Sequence, residues 1–276
     1  MSGRTAPGAS ADSLPANRPF MTTELGLRVA SAVVMLIGVL FAAWLGGTVF
    51  TLFCIALACA LFYEWERMTS LTPFDGVEAL LVTGFAIMML GALVGGFWWA
   101  LTAFLALGLV LESLSSGAER REVRWIGLGA LYAAIPAVFL PLILERGGFW
   151  LLIFIFLVVW AADIGGYFAG RRFGGAKLWP AVSPKKTWSG AIGATAASGV
   201  IGGIYGAVTD VGLVLCVGAA VLLSVVSQAG DLFESAVKRQ FDIKDSSGLI
   251  PGHGGVLDRV DGLIAVALVA GLVVLL

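Results

Sequence analysis

Nine apolar runs follow one another along this chain, at about 27–45, 47–63, 77–95, 97–112, 125–144, 148–170, 189–208, 211–230 and 260–276. A helix needs about 17–25 apolar residues to cross the hydrocarbon of a bilayer. Lipid offers backbone groups no hydrogen bonds, so a crossing segment must be a helix or part of a closed barrel. Continuous apolar runs, rather than strict alternation, select the helix. The expected fold is therefore all-α, a polytopic transmembrane helical bundle of about nine helices. The runs at 47–63 and 97–112 are short enough to be tilted or re-entrant, which makes eight and ten the neighbouring counts. Composition agrees, because only 13% of residues are charged and 59% are hydrophobic, against roughly 25% charged in soluble domains.

The scarce charges are not scattered. Strict alternation of nine crossings puts the N-terminal tail and the segments near 64–76, 113–124, 171–188 and 231–259 on one side. Of the 17 Lys and Arg, only Arg146 then falls opposite. The positive-inside rule makes the lysine-rich side cytoplasmic, with the N-terminus inside and the C-terminus outside. Residues 1–24 carry Pro7, Pro15 and Pro19 among Ser, Ala and Gly and read as a disordered cytoplasmic tail. No signal peptide is expected, since the first apolar run starts late and exceeds the length of such a core. The remainder divides into N-terminal transmembrane helices over 25–150 and a C-terminal catalytic region over 151–276. Cys54, Cys59 and Cys216 lie in apolar runs without metal-ligand spacing and read as small apolar fillers. The glycines of 190–206 read as a seam for close helix packing.

The chemistry gathers between 228 and 261. Gln228, Asp231, Ser235 and Lys238 recur at helical spacing and form a polar stripe at the end of one apolar run. Asp258 and Asp261 stand three apart at the head of the next and share a helix face. Between the two, Pro251-Gly252-His253-Gly254-Gly255 provides a backbone able to approach an anion closely. Carboxylate oxygens suit Mg²⁺, which keeps waters and bridges to substrate phosphates. Asp163, inside another apolar run, costs about 2.5–3.5 kcal/mol on insertion scales and should face a polar cavity. Ser183-Pro184-Lys185-Lys186-Thr187 sets two lysines and a hydroxyl behind a rigid proline, suited to gripping phosphate by point charges, without the glycines of a Walker loop.

Ser235, Lys238-Arg239, Lys244-Asp245, Pro251, His253-Gly254-Gly255, Asp258-Arg259 and Asp261 together resemble the signature of the phosphatidate cytidylyltransferases, also called CDP-diacylglycerol synthases. Asp163-Ile164-Gly165-Gly166 and the Ser183–Trp188 stretch extend the resemblance over about 160–265; the first 150 residues match only in being hydrophobic. Ser189 stands where relatives often carry Glu or Gln and is assigned no chemistry.

The resemblance implies a membrane nucleotidyltransferase that condenses CTP with phosphatidic acid to give CDP-diacylglycerol and pyrophosphate. Asp231, Asp258 and Asp261 are then expected to hold Mg²⁺, with a second, monovalent cation left open. Lys185, Lys186, Lys238 and Arg239 would hold phosphates, oriented by Ser235, with Ser183 and Thr187 beside them. Asp163 belongs to the substrate pocket, His253 to a phosphate contact and Arg259 to the lipid phosphate. The implied partners are CTP, phosphatidic acid and membrane lipid, with no nucleic acid and with a homodimer left open. The implied location is a bacterial inner membrane, the site facing the cytosol. From the residues alone two other classes compete: an ion-coupled transporter, with the same carboxylates as coupling groups, and a CTP-dependent lipid-alcohol kinase, which would release CDP.

Overall fold

The computed structural model describes residues 24–69, 84–85, 89–91, 118–250 and 254–276. These form helices α1 (Glu24–Leu45), α2 (Gly47–Thr69), α3 (Ala118–Phe173), α4 (Trp188–Val208), α5 (Leu213–Gln240) and α6 (Leu257–Leu275). A small antiparallel hairpin, β1 (Lys177–Trp179) and β2 (Ser183–Thr187), separates α3 from α4. Among the described residues, α1 to α5 are long and apolar enough to cross a membrane. The fold is an all-α membrane bundle, as expected. The expected crossings at 77–95 and 97–112 fall largely outside the described residues, as do the tail over 1–23 and His253.

At 56 residues, α3 would be ~84 Å long at 1.5 Å per residue, far more than one bilayer. It is interrupted at Gly148, whose φ of 76° and ψ of 174° are not helical. The chain turns back there. Trp125 and Tyr132 meet Trp65 and Asp261 at one end of the bundle, where Trp65 Nε1 donates to Trp125 O at 2.9 Å and Tyr132 Oη lies 3.4 Å from Asp261 O. Arg146 donates to Val274 O at 3.2 Å and Leu275 O at 3.4 Å, at the C-terminal end of α6. Beyond the turn, Asp163 is back among the polar residues of the first end. The runs at 125–144 and 148–170 are therefore two antiparallel arms of α3. The division between 150 and 151 falls beside this turn, although one continuous core takes residues from both sides, among them Phe50, Phe62, Ile143, Phe156, Leu257 and Ile264.

Small residues set the helix spacings. A Cβ at Gly165 would lie 2.6 Å from Ala197 Cβ and 2.7 Å from Gly193 O, so α3 and α4 nearly touch backbone to backbone. The Asp163-Ile164-Gly165-Gly166 stretch does not break its helix; its glycines serve this contact. Gly202 does the same for α4 against α5, and Gly230 for α5 against α6. In lipid, where apolar side chains gain little by leaving one solvent for another, such close packing is a main source of association.

The hairpin replaces the loop expected at 171–188. Ser189 Oγ donates to Gly174 O at 2.5 Å and fastens the start of α4 to the chain leaving α3. Thr187 Oγ1 caps α4 by accepting from Gly190 N at 3.1 Å, satisfying one of the amides a helix start leaves open.

Two outcomes follow. In Gly202→Ala the new methyl would sit 2.6 Å from Cys216 O; overpacking against backbone is expected to cost about 1–3 kcal/mol in detergent unfolding. Gly218→Ala, with nothing within 4 Å, should be neutral or slightly stabilising through helix propensity. Separately, Lys185 and Arg146 are both exposed at opposite ends of the bundle. In a background with Cys54, Cys59 and Cys216 replaced, single cysteines at positions 185 and 146 should react with an impermeant reagent from opposite sides of the membrane; labelling from one side would refute the antiparallel α3 arms.

Candidate active site

At the end of the bundle opposite Arg146, α3, α5 and α6 enclose a polar cavity of about 410 Å³. Six carboxylates line it, those of Asp163, Asp231, Glu234, Asp245, Asp258 and Asp261, together with Lys238 and Arg259. The α5 stripe supplies Asp231, Glu234 and Lys238 because residues three and four apart stack on one helix face. Asp258 and Asp261 come from the first turns of α6. Asp163 reaches the cavity from the second arm of α3.

Close approach of α5 and α6 holds the acids together. A Cβ at Gly230 would lie 2.7 Å from Ala265 Cβ and 2.8 Å from Asp261 O. One carboxylate oxygen each from Asp231, Glu234 and Asp261 lies within 4.8 Å of the others. Asp231 is ion-paired with Lys186 from β2 and receives a 3.4 Å hydrogen bond from Ser235 Oγ. Asp261 Oδ1 accepts from Gly262 N at 2.7 Å. Glu234 is 1% exposed; its Oε2 pairs with Lys238 at 2.8 Å, while its Oε1 has no hydrogen-bond partner among the described residues. A buried, unpartnered carboxylate oxygen is costly without a cation or a donor, and the hard oxygens suit a divalent ion such as Mg²⁺. The three-acid group fits a metal.

Asp258 is used differently. Its oxygens accept from Lys238 Nζ at 2.8 Å, Ser246 N at 3.1 Å, Ser246 Oγ at 3.1 Å and Gly255 N at 3.0 Å. It therefore orients Lys238 toward the cavity and ties down the chain on both sides of the glycine-rich turn, outside the group of three.

The structure thus brings Asp163, Lys186, Asp231, Ser235, Lys238, Asp258, Arg259 and Asp261 to one place. Lys185 is exposed on β2, beside Ser183, which pairs in register with Trp179. Arg239 turns away: its Nε donates to Val182 O at 3.3 Å and its Nη1 to Ile243 O at 3.2 Å, bracing the hairpin. Gln228 binds α5 to α4, its Nε2 donating to Thr195 Oγ1 at 3.3 Å and lying 3.5 Å from Ala191 O. Sequence reasoning missed Glu234, whose signal was its place on the same stripe, three residues beyond Asp231 and four before Lys238. It also missed Glu64, remote in sequence and without any local signal.

Residues 26–276 match the model of the Cytidylyltransferase family. A protein of Brucella suis named phosphatidate cytidylyltransferase is 44% identical over 259 residues, covering 89% of this chain and 91% of its own. Proteins of the same name from Haemophilus influenzae and Staphylococcus saprophyticus are 36% and 30% identical, over 86% and 87% of this chain and 94% and 95% of theirs. A family model spanning the whole bundle and relatives similar over nearly their full length lead to one conclusion: the chain belongs to the cytidylyltransferase family.

Proposed function

We propose that the protein transfers the cytidylyl group of CTP to phosphatidate at the cytosolic face of a bacterial inner membrane, giving CDP-diacylglycerol and pyrophosphate. The observation that carries this is the 44% identity, over 89% of the chain, to relatives that bear the name of that activity. The site suits the chemistry. A phosphate oxygen of phosphatidate attacks the α-phosphorus of CTP, and the bond from that phosphorus to the oxygen of the leaving pyrophosphate breaks. The nucleophile is already anionic at neutral pH, so no general base is required. The protein must bring two polyanions together and hold them in line.

Lys186, beside Asp231, and Lys238, beside Glu234 and Asp258, supply point charges for the phosphates, with Lys185 and Ser183 on the adjoining hairpin and His253 in the glycine-rich stretch, while Thr187 caps α4. Ser235 orients the group bound at Asp231, and Arg259 meets the lipid phosphate. Asp231, Glu234 and Asp261 would hold Mg²⁺, and Asp163 shapes the cavity wall. When bound, the ion polarises the α-phosphate and offsets the charge that develops on pyrophosphate. Asp258 acts through Lys238 rather than on the ion.

The decisive assay incubates the purified protein in lipid micelles with CTP, Mg²⁺ and phosphatidate. CDP-diacylglycerol and pyrophosphate are expected; release of CDP would identify a kinase, and no turnover would reject the reading. Within that assay, Asp231→Asn and Asp261→Asn should each lower kcat by on the order of a hundredfold or more. The double variant should be little worse than either, because residues acting as one unit are non-additive. Near-wild-type activity of either variant across a Mg²⁺ titration would remove that residue from the ligand set.

A further inference from the structure

One buried carboxylate outside the cavity, Glu64 near the end of α2, is heavily engaged although it is far from the signature residues in sequence. It is 0% exposed. Its Oε1 accepts from Ser247 Oγ and from Val256 N at 2.9 Å. Its Oε2 accepts from Leu257 N at 2.7 Å and lies 3.3 Å from Ser246 Oγ. Three donors from two separate stretches, the Ser247 hydroxyl and the amides of Val256 and Leu257, thus converge on one side chain, with the Ser246 hydroxyl beside them. Two are backbone amides at the start of α6, which has no side-chain cap of its own. A Cβ at Gly255 would lie 2.9 Å from Glu64 Oε2, so the glycine is what lets the chain pass this close.

We infer that Glu64 is a positioning residue for the catalytic centre: it clamps both flanks of the glycine-rich turn and so sets Asp258, and through Asp258 the ammonium of Lys238. The connection is continuous. Ser246, next to the Ser247 that Glu64 holds, gives Asp258 both its amide and its hydroxyl; Gly255, one residue before Val256, gives a third hydrogen bond; Asp258 in turn holds Lys238. A carboxylate accepts on both oxygens, whereas an amide in its place would turn an N–H₂ toward donors that need an acceptor. A capping role alone would be met by a nearby Ser or Asp. A residue from α2 adds a tie between the N-terminal helices and the site.

This inference rests on the cytidylyltransfer reading and is tested beside it. Absence of product with the wild-type protein would defeat that reading, whereas the comparison of variants with an active wild type tests Glu64. Glu64→Gln should lower kcat per folded molecule by on the order of tenfold and leave the Mg²⁺ concentration for half-maximal rate unchanged. Amide exchange should quicken in the peptides carrying Ser246 and Leu257 while α4 and α5 keep their protection. Glu64→Asp, one methylene shorter, should fall between. A purely structural role predicts less folded protein with unchanged kcat per folded molecule, and that result overturns the proposal. If Glu64→Gln does not fold, Ser247→Ala removes the hydroxyl donor to Glu64 from the other side and leaves the hydrogen bonds of Asp258 in place. A several-fold fall in kcat would support the clamp, and wild-type kcat in that variant would overturn it.

Discussion

The close approach of α5 and α6 is the contact on which the site depends. Gly230 and Gly262 lie against the facing helix, Gly230 near Ala265 and Asp261 and Gly262 near Ser227. Larger side chains there would push the helices apart and separate Asp231 and Glu234 from Asp261. The acids are neighbours of these glycines in sequence, so the residues that permit approach and the residues that profit from it form one local pattern. The lysines oppose what would otherwise be strong repulsion. Lys186 pairs with Asp231, and Lys238 sits between Glu234 and Asp258.

Where these charges lie also follows from the bilayer. A carboxylate at mid-membrane is expensive, and one at a helix end can be reached by loops, lysines and water. Asp231, Glu234 and Lys238 occupy the last turns of α5, and Asp258 and Asp261 the first turns of α6, on the side where the hairpin, Ser246 and Gly255 meet them. Among the described residues, the Lys or Arg at the opposite end is Arg146, held by the carbonyls that end α6. This asymmetry matches the split of Lys and Arg between the two sides, because one physical cost governs both.

How much of this was legible in the sequence depended on the range of the interaction. Apolar length gave the helices, and the break between the 125–144 and 148–170 runs appears as the turn at Gly148, since a continuous helix of that length would overshoot the bilayer. The stripe Asp231, Ser235, Lys238 was readable from helical spacing, and the same spacing contains Glu234. What local pattern could not show was partner choice. Arg239 and Lys238 are adjacent cations, but a helix points them about 100° apart, so one enters the cavity and the other braces the hairpin at Val182. Thr187 reads equally as a phosphate ligand or a helix cap until the direction of α4 is known. Glu64 was out of reach altogether, because its donors lie more than 180 residues away.

The pair Asp258 and Asp261 shows how three residues of spacing can encode two different tasks. Both face the cavity, yet Asp258 stands in the first turn of α6, where the amides of Ser246 and Gly255 and the positive end of the helix favour a carboxylate. Its oxygens are thereby committed to holding the chain and Lys238. Asp261 lies one turn deeper, beside Gly262 at the seam with α5, and among the described residues its donor is the adjacent Gly262 N. It is left facing Asp231 and Glu234. The carboxylate nearer the loop organises the site, and the one nearer the seam completes the group of oxygens that a cation can share.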